Sequence, residues 1–242
     1  MYKSKCFEII ISYYPARPLD QLIALLISLS EFRDHITVVV NGNFETLAPL
    51  YAQCVRVITR ENEGMNIGAW SRGFHERGDA DLYIFLQDEC FLKRHSFVQA
   101  IESVFRSNRS LGMVGESLNP RWAKPWGLLK SEGFNVYEAD HVINGIPSRR
   151  VDTYLHFMRS WGIEPGSSGA HLRSLVWAFP GEVMRALGGF PIGRNRGECI
   201  AAEIAVSRKV VMMGYQISQI SEGPFTFFGH SEWRPDGFSK LK

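Results

Sequence analysis

Short apolar runs alternate with amphipathic segments along the first half of the chain. Residues 7–11 carry Ile9, Ile10 and Ile11 in a row and end at Ser12-Tyr13-Tyr14-Pro15. A run that is apolar on successive positions fits a strand covered on both faces. Pro15 and Pro18 stop regular structure behind it. Leu22, Leu25, Leu26 and Leu29 recur at helical spacing and predict a helix over 19–32. Residues 36–40 read as a second strand, closed by the turn signal Asn41-Gly42-Asn43. A short helix over 44–53, interrupted near Pro49, and a third strand over 55–58 follow. The loop from Arg60 then enters a helix over 69–76, which Gly78-Asp79 ends. The next apolar run, Leu82-Tyr83-Ile84-Phe85-Leu86, leads straight into Gln87-Asp88-Glu89. Residues 96–107 form an amphipathic helix with Ser96 as N-cap, and Met113-Val114 a short strand. Strand–helix alternation of this kind predicts a parallel, doubly wound sheet.

The pattern loosens beyond residue 118. Residues 119–144 hold Trp122, Trp126, Phe134 and Tyr137 among Pro, Gly and Lys. Helices are expected over 148–161, over 181–187 (ending at Gly188-Gly189) and over 200–213. Strands are expected over 174–179 and 215–220, with a Gly/Pro/Ser-rich loop over 162–169. No internal repeat, low-complexity segment or linker interrupts the chain. One domain over 1–242 is expected, with a nucleotide-type half over 1–115 and a half over 116–242 that adds specificity.

Composition changes this picture little. The 242 residues are 45% hydrophobic and 21% charged, ordinary for a globular chain, and a net charge of +2 demands no nucleic-acid partner. Cys6, Cys54, Cys90 and Cys199 include no CxxC pair, so they read as separate reduced thiols of a cytoplasmic protein rather than a zinc or redox motif. Neither the N-terminus nor the apolar stretch 22–29 has the length of a signal peptide or a membrane span.

Candidate chemistry gathers at four places. Asp88 and Glu89 stand at the carboxyl end of a buried strand, where open α/β sheets place ligands. Adjacent carboxylates repel each other and favour a divalent cation shared with phosphates, or they cap a loop. The loop 62–69 offers Gly64 and Gly68 for close backbone approach ahead of a helix N-terminus, with Arg60 and Arg72 as charges for a diphosphate; a tight packed turn is the alternative. Glu203 sits among Ala202, Ile204, Ala205 and Val206, where a carboxylate needs a partner or a task. General-base work on a hydroxyl is one task, and pairing with Arg208 the plain alternative. His230 lies in an aromatic, Gly-rich tail as a metal ligand or a hydrogen-bonded residue. Trp122, Trp126, Trp161 and Trp177 are candidates for ring stacking, against the commoner role of packing.

In order and spacing these motifs resemble the GT-A glycosyltransferases, close to family 2 in its polysaccharide-assembly form, over most of residues 6–230. Residues 8–17 resemble the first strand and its nucleotide-contacting turn, which places Ser12, Tyr13 and Tyr14 beside the base. Residues 36–43 resemble the second strand, ending at Asn41, with Val40 where the family carries a base-binding Asp. Asn62, Gly64 and Asn66 fall in the Asn-x-Gly loop, with Asn66 in an Asp position. Residues 85–89 resemble the DxD strand end, with Gln87 in place of the first acid. Residues 176–191, with Trp177, resemble the acceptor-side segment ending in Gly-Gly-Phe. Glu203 falls where the family has its catalytic Asp, and His230 resembles a late metal-shell His. The resemblance implies an α/β GT-A fold with a mostly parallel central sheet. It implies an inverting transfer from a nucleotide-sugar donor to a glycan or lipid-linked saccharide acceptor, with Mn2+ or Mg2+ held by Asp88, Glu89 and His230, and possible peripheral contact with the inner face of a membrane. A non-catalytic nucleotide- or sugar-binding domain and a nucleotidyltransferase are the alternatives. The second lacks a Gly-rich basic signature after the first strand.

Overall fold

A computed structural model describes residues 6–43, 48–53 and 56–233. The expected helix over 44–53 and strand over 55–58 therefore lie partly outside the described residues, as do Cys54 and the last part of the tail.

The first half follows the predicted alternation: β1 (Phe7–Tyr13), α1 (Leu19–Ser28), β2 (Ile36–Asn41), α2 (Ala48–Tyr51), β3 (Arg56–Arg60), α3 (Met65–Glu76), β4 (Leu82–Gln87), β5 (Cys90–Leu92), α4 (Phe97–Ser107) and β6 (Leu111–Gly115). Then come α5 (Trp126–Ser131), β7 (Tyr137–Ile143), β8 (Ile146–Arg149), α6 (Arg150–Ser160), β9 (Val176–Pro180), α7 (Gly181–Leu187), α8 (Arg196–Met212), β10 (Gln216–Gln219) and β11 (Phe228–His230). Seven strands form one sheet in the order β10-β6-β9-β4-β1-β2-β3. Every pairing in it is parallel except those of β9, which runs antiparallel to β4 and β6. The long excursion between β6 and β9 brings the chain back from the opposite end, a freedom that a tight helical crossover does not give.

The consecutive isoleucines of β1 are explained by the two covered faces. Ile9 and Ile11 pack with α1 and α4, while Ile10 packs with α3 on the other side. β4 lies between β1 and β9 and is buried from Leu82 to Leu86. Burial of each such side chain contributes about 1.5–3 kcal/mol. A third apolar cluster joins Trp122, Trp126 and Leu129 to Tyr154 and Met158 of α6 and to Ala201, Ile204 and Ala205 of α8. No helix among the described residues is long and apolar enough to cross a membrane.

Several element ends depart from expectation for local reasons. The helix from Leu19 stops at Ser28 and tightens into a 3-10 turn over Ser30–His35. α3 begins four residues earlier than expected, at Met65, because Gly64 supplies a left-handed N-cap. α8 begins at Arg196, where the Asn195 side chain accepts the Glu198 amide. Ser96 stands at the N-cap of α4 without making a capping bond. The β7–β8 hairpin was not anticipated, although its turn, Asn144-Gly145 with φ of 51° and 81°, is a strong hairpin signal.

The C-terminal strand β11 pairs with β5, placing His230 opposite Cys90. A buried carboxylate fixes it there. Glu116 accepts the amides of Thr226 at 2.7 Å, Phe227 at 3.0 Å and Phe228 at 3.1 Å. Burial pushes the Glu116 carboxyl up to about 7, against these donors and Lys93, which favour the ionised form. Its folded value lies above the unfolded one, so its contribution to stability is fully present below about 4.5 and is lost as pH rises through about 7. Chemical denaturation across that window should show wild-type stability falling relative to Glu116→Gln, which removes the titrating group. Parallel pH profiles for the two proteins would contradict this.

Candidate active site

Gln87, Asp88 and Glu89 emerge at the carboxyl end of β4. Because the strand is enclosed on both faces, the acids at its end are also buried: Asp88 is 4% and Glu89 9% exposed. The charge that meets them comes from the turn after β1. The Arg17 amide donates to the Tyr14 carbonyl and the Tyr13 hydroxyl donates to the Arg17 carbonyl, so Arg17 is held from both sides of a turn bracketed by Pro15 and Pro18. Its Nη1 reaches Asp88 Oδ1 at 2.9 Å and also pairs closely with Glu89 Oε2. The Tyr14 amide donates to Asp88 Oδ2 at 3.5 Å. Burial raises the Asp88 carboxyl above its ordinary range, opposed by Arg17 and the Tyr14 amide. Burial likewise pushes Glu89 up to about 7; Arg17 opposes it, and the neighbouring Glu232 and Asp88 reinforce it.

A second node lies at Ser174, just ahead of β9. Its carbonyl accepts from both Asn66 Nδ2 and Gln87 Nε2, each at 2.7 Å. Its hydroxyl donates to Glu203 Oε2 at 2.8 Å. Glu203 Oε1 lies 3.2 Å from His171 Nε2. The opposite ring nitrogen, Nδ1, faces the Gly169 carbonyl at 2.6 Å and so carries a proton. Nε2 also lies 3.4 Å from Asn119 Nδ2. Arg208, the alternative partner considered for Glu203, donates instead to the Glu164 carbonyl.

These groups border a cleft of about 560 Å³. Of the residues expected from sequence, Asn66, Gln87, Glu89, Trp122, Glu203 and His230 line it. His230 Nε2 is 3.1 Å from Gln87 Oε1 and 3.8 Å from Glu89 Oε2. Asp88 stands immediately behind, sealed by Arg17. Tyr14 is at the surface, 45% exposed.

Other expectations give way to structural roles. Trp177 is wholly buried, in ring contact with Trp70, Phe179 and Phe190, and its indole donates to the Leu172 carbonyl. It is core, because its strand lies inside the sheet, and it cannot stack on a ligand. Tyr13 is likewise buried and braces the turn, and the Ser12 hydroxyl is spent on the Leu86 carbonyl. Asn41 holds the Met65 carbonyl and accepts from Arg60 at 3.2 Å. Arg72 pairs with Glu76 one turn on, on the exposed side of α3. Asn62 belongs to the exposed loop ahead of α3. Gly64 serves as the α3 cap, and Gly68 admits the Glu63 carbonyl, which would lie 1.9 Å from a Cβ there.

Asp88, Glu89 and His230, the three expected metal ligands, lie at the same strand end, with Arg17 on the two acids and His230 Nε2 3.8 Å from Glu89 Oε2. Among the described residues no group of three or more His, Cys, Asp and Glu side chains is placed to hold a metal ion. A divalent ion shared by Asp88 and Glu89 would have to take the place of the Arg17 guanidinium. The donor set present fits a guanidinium rather than a chelated ion.

Sequence reasoning missed Arg17, His171, Arg173 and Ser174. The first had a visible signal, a basic residue in a Pro-bracketed turn after the first strand. The others sit in an irregular segment with no periodicity to mark them.

No family model and no curated protein matches the chain. Solved structures do. The chain is similar to a mannosyltransferase from Pyrobaculum calidifontis in complex with GDP-mannose and Mn2+, with a TM-score of 0.55 and 13% identity over 90% of this chain and 55% of that one. It is also similar to glucosyl-3-phosphoglycerate synthase from Mycobacterium tuberculosis in complex with Mn2+, UDP and glucosyl-3-phosphoglycerate, with a TM-score of 0.52 and 12% identity over 96% of this chain and 74% of that one. The chain thus spans about half of the mannosyltransferase's length. Identities this low show the fold, and that fold is the GT-A type.

Two substitutions check the structural assignments. Trp177→Ala should cost about 3–5 kcal/mol by urea denaturation; a change below 1 kcal/mol would contradict its place in the core. Gly68→Ala should cost about 3 kcal/mol through overpacking against Glu63; an unchanged melting temperature would contradict the close approach.

Proposed function

We propose that the chain is a glycosyltransferase that moves a sugar from a nucleoside-diphosphate sugar to a hydroxyl of a glycan or other acceptor, with inversion. The observation that carries this reading is the Glu203 carboxylate. It is held by Ser174 in a cleft at the carboxyl ends of a GT-A sheet, beside Gln87 and Glu89. The two similar structures, both in complexes with Mn2+, one with GDP-mannose and one with UDP and its product, support the choice of donor class.

In this reading the donor lies across the strand ends, with its sugar toward α8. Glu203 takes the proton of the acceptor hydroxyl. The freed oxygen pair attacks the anomeric carbon from the face opposite the diphosphate. The bond from that carbon to the diphosphate oxygen breaks, and its electrons leave with the nucleoside diphosphate. Attack from the opposite face inverts the anomeric centre. Ser174 fixes Glu203 while its carbonyl ties Asn66 and Gln87 to the same point, so base and donor side are positioned together. The two similar structures are complexes with Mn2+; in this chain the Arg17 guanidinium lies between Asp88 and Glu89 as their counter-charge. A lipid-linked acceptor, with peripheral membrane contact, is compatible with this scheme.

A thermal-shift panel of nucleoside diphosphates and their sugars should single out one base. At a hundredfold excess over Kd the gain is about 2.7 kcal/mol, or roughly 5 °C or more in Tm. Glu203→Gln should keep the donor Kd within a few fold and lower transfer by about 10²–10⁴. A fully active Glu203→Gln enzyme would overturn the base assignment. Donor binding with neither hydrolysis nor transfer for any acceptor would make this a binding domain.

A further inference from the structure

The cleft contains more arginine than its acids use. Arg173 is the clearest case. It is 6% exposed, and among the described residues no carboxylate lies within ion-pair distance of it. Its Nη1 donates to Ser117 Oγ at 2.8 Å, its guanidinium lies 4.1 Å over the Trp233 ring, and its buried Nε has no hydrogen-bond partner among the described residues. Burial lowers its pKa to about 10; the field of Glu203 opposes this, and the like charge of Arg121 adds to it. Arg121 also lines the cleft and has no ion pair among the described residues. Two neighbouring guanidiniums without a carboxylate partner among the described residues, one of them buried, leave positive charge on the wall of the cleft that an anion would neutralise.

Arg173 is also next to the end of β4. It directly precedes Ser174, whose carbonyl holds Gln87, and Trp233 beneath it follows His230, which contacts Gln87 and Glu89. Arg17 covers the same strand end from the other side by bridging Asp88 and Glu89. A divalent ion between two carboxylates does two things: it neutralises the acids and it presents positive charge to a phosphate. Here Arg17 neutralises the acids, and Arg173 and Arg121 are separate cations on the cleft wall.

We propose that this cleft binds the diphosphate of its donor by guanidinium charge without a divalent ion: Arg17 is the fixed counter-ion of Asp88 and Glu89, and Arg173 with Arg121 meets the phosphates. The identity of the anion as a nucleoside diphosphate rests on the transferase reading above.

The test is titration calorimetry of UDP, GDP and inorganic pyrophosphate against the full chain in EDTA and in manganese, with manganese binding followed separately by EPR. The Kd of the nucleotide that binds should agree within about threefold in the two buffers. Arg173→Met should weaken it at least tenfold, with Arg173→Lys restoring part of the loss. Arg17→Met should gain a manganese signal that the wild-type protein lacks. Nucleotide binding that needs manganese, or tight manganese binding by the wild-type protein, would overturn the proposal. If no nucleoside diphosphate of the thermal-shift panel binds but pyrophosphate binds in EDTA and is lost in Arg173→Met, the anion site stands and the transferase reading fails. Absence of pyrophosphate and nucleotide binding in EDTA would overturn the anion site itself.

Discussion

Enclosing β4 on both faces sets the terms for the rest of this cleft. The strand must be apolar throughout to sit between β1 and β9, yet it delivers two carboxylates to its end, where little water reaches them. Two buried like charges raise each other's pKa and destabilise the fold unless a cation is close. The chain supplies that cation from the adjacent β1 turn. Arg17 is the bridge, and the turn that carries it is built for the purpose, with two prolines, a Tyr14 carbonyl and a Tyr13 hydroxyl fixing its backbone. The parallel register of β1 and β4, which sets Ser12 beside Gln87, brings the turn to the acids.

From this anchor the site extends in one direction through polar contacts and in another through packing. Gln87 hands the strand end to Ser174 and His230; Ser174 in turn holds Glu203 of α8. α8 is fixed independently by its apolar contacts with α6 and with the sheet. Glu116 pins the segment that carries His230. The base candidate, the acid pair and the late histidine are thus placed by three separate elements that meet at Ser174 and the Gln87 side-chain amide. Such placement costs little reorganisation when a ligand arrives, which is where positioning contributes to rate.

Much of the frame was legible in the sequence because burial writes itself as periodicity. The triple isoleucine of β1, the leucine stripe of α1 and the apolar run of β4 each predicted their element and its covered face. The antiparallel insertion of β9 was not legible, since a strand's direction leaves no mark in its own residues. The site was legible in part. Asn66, Gln87, Glu89, Glu203 and His230 do come together, while Trp177 and Tyr13 proved to be core, because an aromatic ring beside a motif reads the same whether it faces a ligand or a sheet. The carboxylates were visible but their partner was not. An acid pair announces a need for positive charge without saying whether a metal or a side chain 71 residues away supplies it. Arg173 and Ser174 lie in a segment shaped only by tertiary contacts.

In the proposal above, guanidinium charge rather than a divalent ion serves the acids at the end of β4 and the phosphates of the donor. The most direct measurement is a crystal structure grown with the best-binding nucleoside diphosphate and excess manganese, with data collected for manganese anomalous scattering. The expected result is phosphates against Arg173, Arg17 still between Asp88 and Glu89, and no anomalous peak at the strand end. A manganese peak coordinated by Asp88 and Glu89, with Arg17 displaced, would contradict it.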